Sequence, residues 1–123
     1  MAILIIRSWL LLCVFDLRMM LRDPSAVEKA VQKQPIRSRT DALPCELICR
    51  AMDYACALYF KKAWCRQRSA ATTILLRQCG WEAKMATGVQ ILPFRSHAWV
   101  EVQGRIVNDK PYMHDMYQVL NWC

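Results

Sequence analysis

The apolar pattern of this chain changes period once, and that change limits the fold more than any other feature. Up to about Gly80 the apolar residues recur at helical spacing, and from Trp81 they alternate as in strands. The second regime is clearest in His97-Ala98-Trp99-Val100-Glu101-Val102-Gln103-Gly104-Arg105-Ile106-Val107-Asn108-Asp109, which alternates, turns at a glycine and alternates again. Helices first and antiparallel strands second describe an α+β architecture around one core. The 123 residues suffice for one domain, residues 1–123, in which residues 1–60 are helical and residues 61–123 supply a further helix and the sheet.

Residues 2–22 are expected to form one helix, stopped by Asp23-Pro24, and a short helix capped by Ser25 follows over AVEKAVQK. QPIRSRTDALP is a polar loop with two prolines. A third helix runs from about Cys45 to Phe60, with Leu47, Ile48, Ala51, Ala55 and Leu58 on its apolar side. CRQRSAATTILLRQCG is a fourth, starting near Cys65 and ending at Gly80, a good left-handed residue after a helix end. Arg77 in its last turn suits the negative pole. WEAKMATGV then forms a strand, QILPF a turn, and the 97–109 stretch a hairpin.

Bulk properties exclude several classes. With 55% apolar residues the chain is globular, not disordered. Arg7 and Asp16 interrupt the apolar N-terminal stretch short of a membrane span, and a signal peptide would carry its charge before that run. A cytoplasmic protein is therefore expected. The +7 net charge is scattered and contains no basic arm for nucleic acid. Seven cysteines cannot all pair, and a reducing compartment leaves them as thiols. Cys45, Cys49 and Cys56 share one helix face without the spacing of a zinc site or a radical-enzyme cluster, so they are read as small buried apolar residues. No metal and no cofactor is expected.

One constellation carries chemistry. Acyl transfer through a thiolate needs a base to take the proton and a group to orient the base. Cys65 is the cysteine at a helix start, where unpaired N–H groups and the dipole favour a negative sulfur and could hold an oxyanion; Arg66 and Arg68 add positive charge. Cys79 sits at the wrong pole. A two-residue turn at Gln103-Gly104 would pair Val102 with Arg105 and turn Asp109 to the opposite face from His97. A three-residue turn, Val102-Gln103-Gly104, would pair Glu101 with Arg105 and His97 with Asp109, and is expected here because glycine fits its third position. His114 is assigned to the surface, and Asn108 faces away in that register. A histidine opening a strand and an aspartate closing one are also common structural residues, so spacing alone leaves both readings open.

CRQRSAATTILLRQCGWEAKMATGV followed by PFRSHAWVEVQGRIVND resembles the transglutaminase-like cysteine peptidases that mature lasso peptides. The likeness runs from about Arg50 to Asp109 and more weakly to Leu120. It rests on the Cys-x-x-Arg-Ser helix start, the Leu-Arg-x-x-Gly helix end and the Pro-Phe-x-x-His-Ala-Trp-Val-Glu block. It implies a papain-like, transglutaminase-like core with Cys65, His97 and Asp109 at the triad positions, and removal of the leader from a ribosomally made precursor. Arg66 departs from the apolar residue expected there. Acyl transfer to an amine, as in transglutaminases and amidases, and a non-catalytic peptide-binding module remain as alternatives. The resemblance further implies a separate leader-recognition protein acting in trans, since its roughly 80 residues of strands have no place here, with the lasso cyclase as a further partner. Two features could dock the recognition protein: the apolar N-terminal helix, whose Ile5, Trp9 and Leu12 exceed what so small a core requires, and the basic surface.

Overall fold

The computed structural model describes residues 2–21, 26–36, 43–61, 64–91, 93–111 and 113–123. Helices α1 (Ala2–Leu21), α2 (Ala26–Lys33), α3 (Cys45–Leu58) and α4 (Cys65–Gln78) precede β1 (Ala83–Gln90), β2 (Arg95–Val102), β3 (Arg105–Ile106), a one-turn α5 (Met113–Met116) and β4 (Gln118–Trp122). The strands form one antiparallel sheet in the order β3-β2-β1-β4. The expected α+β order is therefore present, with a fourth strand that the sequence pattern did not reveal. The expected stop at Asp23-Pro24, the Ser25 cap and most of the proline loop lie outside the described residues.

Helix α4 is the centre of the molecule. It packs against β1 and β2 on one side and α1, α2 and α3 on the others, and nearly all of Gln67–Arg77 is buried. So polar a helix tolerates burial only because its polar groups are bonded. Gln67 Nε2 donates to Leu12 O at 2.7 Å, while Thr72 and Thr73 donate to the carbonyls one turn back at 2.7 and 2.8 Å. Arg77 does not serve its own helix end. Its guanidinium reaches Val31 O (2.5 Å), Ala83 O (2.9 Å) and Cys123 O (2.9 Å), tying α2, β1 and the chain end together. Gly80, at φ +91°, takes the left-handed conformation expected after the helix.

Helix α1 is apolar over most of its circumference; Arg18 is exposed, and Arg7, Ser8 and Asp16 are inward anchors. Arg7 donates to Gln78 Oε1 (2.8 Å), Ser8 to Leu4 O (2.7 Å), and Asp16 accepts Tyr59 Oη (2.8 Å) and Lys61 Nζ (2.7 Å). Leu12 is fully buried, and Ile5 and Trp9 pack against the core, so these three do not form the outward surface expected of them. The outward row is instead Ile3, Ile6, Leu10, Val14, Leu17 and Met20. Leu58 departs in the other direction: as the last residue of α3 it is exposed, while Met52 is buried in its place. Among the described residues no helix is long and apolar enough to cross a membrane.

Candidate active site

Cys65 opens α4, and the backbone N–H groups of Arg66 and Ala98 point at its sulfur. Residue 66 breaks the family pattern without loosening the helix. The Arg66 guanidinium makes a two-pronged ion pair with Glu28, which fixes α2 against the start of α4. One turn into α4, Ser69 Oγ donates to Ala98 O at 3.0 Å and so fastens the helix to the strand that carries His97.

His97 sits on β2 opposite Gly88 of β1. A β-carbon at Gly88 would meet the Trp99 ring at 2.9 Å, and Gln118 O and Tyr117 Cβ at 3.0 Å. The absent side chain lets Tyr117 stack on the imidazole, with ring centroids 5.4 Å apart. His97 Nε2 meets Asp109 Oδ2 at 2.5 Å, and Asp109 Oδ1 accepts the Lys110 N–H at 2.8 Å. The imidazole also shares a hydrogen bond with the Cys65 thiol, for which Nδ1 is the remaining nitrogen. The three residues singled out in the sequence thus form one line, each side chain partly exposed.

The route to that contact corrects the expected register. Gln103 (φ +53°) and Gly104 (φ +76°) form a two-residue turn with both positions left-handed, and Val102 pairs with Arg105. That turn matches the right-handed twist of the flanking strands, which outweighs the preference for a glycine bulge. Glu101 consequently pairs with Ile106, not Arg105, and Arg105 lies 3.9 Å from Glu46 in an exposed pair. Continued pairing would have turned Asp109 away, but the ladder breaks first. Val107 N still donates to Val100 O (3.0 Å), whereas Val100 N donates to the side-chain Oδ1 of Asn108 (2.7 Å). Asn108 Nδ2 reaches Ser69 Oγ at 3.1 Å, and Arg68 holds the Asn108 carbonyl at 3.1 Å. The chain bends there and delivers Asp109 to His97. Asn108 makes no bond to His97; it anchors the bend.

Electrostatics follow the geometry. The hydrogen bond from His97 lowers the Cys65 pKa against the opposing effect of burial, with help from the two N–H groups and the imidazolium charge. The same bond raises His97 to about 9; burial opposes it and Asp109 reinforces it. The thiolate–imidazolium pair is the form these shifts favour at neutral pH. Cys79 is wholly buried at the far end of α4.

His114 is exposed, as expected, but it is not without partners. It lies in α5, donates to or accepts from Glu101 Oε2 at 2.6 Å, and sits edge-on to Trp99 with centroids 5.6 Å apart. Glu101, which also accepts Trp99 Nε1 at 2.9 Å, is buried on this outer face of the sheet. Nothing in the spacing of residues 101 and 114 signals that pairing. No group of three or more metal-ligating side chains occurs among the described residues.

The chain is similar to the microcin J25-processing protein McjB of Escherichia coli, with 39% identity over 59 residues. That stretch is 48% of this chain and 28% of McjB, so less than a third of the relative is represented. No solved structure matches. The family model described as the transglutaminase-like superfamily matches residues 9–121, from within α1 to within β4, and includes Cys65, His97 and Asp109. The chain belongs to the transglutaminase-like superfamily.

Proposed function

We propose that this chain is a cysteine peptidase that removes the leader from a ribosomally made lasso-peptide precursor in the cytoplasm. The observation that carries the reading is the continuous line from Cys65 through His97 to Asp109 at a helix start. The partial similarity to a microcin-processing protein supplies the substrate class.

In this reading the Cys65 thiolate adds to the scissile carbonyl of the precursor. His97, protonated, gives its proton to the departing amine as the C–N bond breaks, which leaves a thioester on Cys65. Neutral His97 then takes a proton from water as that water attacks the thioester. The leader carboxylate departs and the thiolate–imidazolium pair is restored. Asp109 keeps Nε2 engaged, so that Nδ1 faces the sulfur throughout.

A leader-recognition protein acting in trans fits the outward apolar row of α1, which gives such a partner a surface to cover. The lasso cyclase is the further partner, consuming the freed core peptide. The test is mass spectrometry of a precursor incubated with the chain, with and without that recognition protein. Two peptides whose masses sum to precursor plus water mean hydrolysis. A single amine-modified species would mean acyl transfer, and unchanged precursor bound to the chain would mean a binding module.

A further inference from the structure

We propose that Cys45 and Cys49 form a chelating dithiol site for a soft trivalent centre, of which an organic arsenic(III) is the type, and that filling it disturbs the Cys65 centre. The two thiols are one turn apart on α3 and hydrogen-bonded to each other. Both line an open cavity of about 160 Å³ whose other walls are Glu46, Arg105, Ile106 and Val107. The Glu46–Arg105 pair at its mouth is loose and largely solvent-exposed, so it offers little resistance to entry. Cys45 is the first residue of a 14-residue helix. The hydrogen bond from Cys49 lowers the Cys45 pKa, and Cys49 is raised in turn.

Geometry selects chelation over oxidation. Side chains one turn apart on a helix have β-carbons about 5–6 Å apart, whereas a disulfide needs about 3.5–4.5 Å. A disulfide would therefore have to unwind α3. A single soft atom between the sulfurs spans the gap, and thiolates prefer such atoms. With an aryl arsenoxide the step balances without redox change: two S–H bonds and the As=O bond break, two As–S bonds form, and water leaves. The cavity wall Arg105–Val107 runs directly into Asn108 and Asp109. A group seated there presses on the segment that delivers the carboxylate to His97.

Phenylarsine oxide is the probe, added to the full chain, with excess monothiol applied afterwards. One adduct should survive the monothiol, reverse with a dithiol such as dimercaptopropanol, and map to the 45–49 peptide. Cys45→Ser and Cys49→Ser, checked by thermal melting to be folded, should each lose it, and Cys65→Ala should keep it. Alkylation of Cys65 by iodoacetamide should slow several-fold in the adduct. No surviving adduct on the wild-type chain, or one mapping elsewhere, overturns the site; unchanged Cys65 alkylation in the adduct overturns its link to the triad. Neither readout uses a peptide substrate, so both stand apart from the proposed cleavage.

Discussion

Replacing Asn108 by alanine removes the residue at which the β2–β3 ladder ends and the approach to Asp109 begins. Two bonds are lost, Val100 N–H to Oδ1 at 2.7 Å and Nδ2 to Ser69 Oγ at 3.1 Å. Val100 is wholly buried, so its N–H is left without a partner, which costs about 1–3 kcal/mol. The Ser69 hydroxyl keeps its own acceptor, Ala98 O, so that loss adds only about 0.5 kcal/mol. A total near 2 kcal/mol corresponds to a fall in Tm of roughly 6–12 °C for a chain of this size. Asn108→Asp keeps an acceptor for Val100 N–H and should lose about half as much. The assay is thermal unfolding by circular dichroism, paired with iodoacetamide alkylation of Cys65 below the denaturation range. Alkylation should slow in the alanine variant because Asp109 is no longer steadied. A Tm within about 1 °C of wild type would show that the Val107 carbonyl simply takes over the Val100 N–H. The account of how Asp109 reaches His97 would then be wrong.

Other consequences are equally direct. Cleavage should follow a bell in pH: on the acid side it falls as Cys65 takes up a proton, below the ordinary thiol value, and on the alkaline side it falls as His97 loses its proton near 9. The stability signs agree with this. The His97 contribution is fully present below the ordinary imidazole value and lost as pH rises through about 9, whereas that of Cys65 is present above the ordinary thiol value and lost as pH falls. His97→Ala should cost more activity than Asp109→Asn in the precursor cleavage assay, because the aspartate orients the base without carrying the proton; equal losses would contradict the assigned roles. Arg77→Met removes the donor to three backbone carbonyls, of which Val31 O keeps the Gln34 N–H, and should lower stability by about 2 kcal/mol or more in urea unfolding, with Arg77→Lys recovering some of the loss. Gly88→Ala should destabilise by about 1–3 kcal/mol through its contacts with Trp99 and Tyr117, and should weaken the seating of His97.

What could be read from the sequence was whatever depends on local period and local chemistry. The helix ends at Cys65 and Gly80 and the antiparallel strands within 83–102 follow from spacing and capping, and the helix start with its neighbouring charge singles out Cys65. His97 and Asp109 as its companions are implied by the family resemblance, since spacing alone leaves them open. What could not be read depends on partners distant in the chain. The contact of Asp109 with His97 was expected on a register that the turn does not adopt; it arises because a side chain thirty-nine residues from Ser69 interrupts the ladder. Periodicity identifies α1 as apolar but cannot say which residues face inward, since Arg7 and Asp16 find partners 71 and 43 residues away. Strand β4 is short, and its pairing with β1 across a register shift leaves no alternation to detect. Glu101 and His114 meet only because α5 folds over the outer sheet face.

The central claim is that His97 makes a nucleophile of Cys65, and the rate of iodoacetamide alkylation at each cysteine tests it most directly. At about pH 6, resolved by peptide mapping, Cys65 should react well ahead of the comparably accessible Cys13 and Cys123, and His97→Ala should abolish that lead. Cys65 reacting no faster than those two, or keeping its lead without His97, would contradict the account.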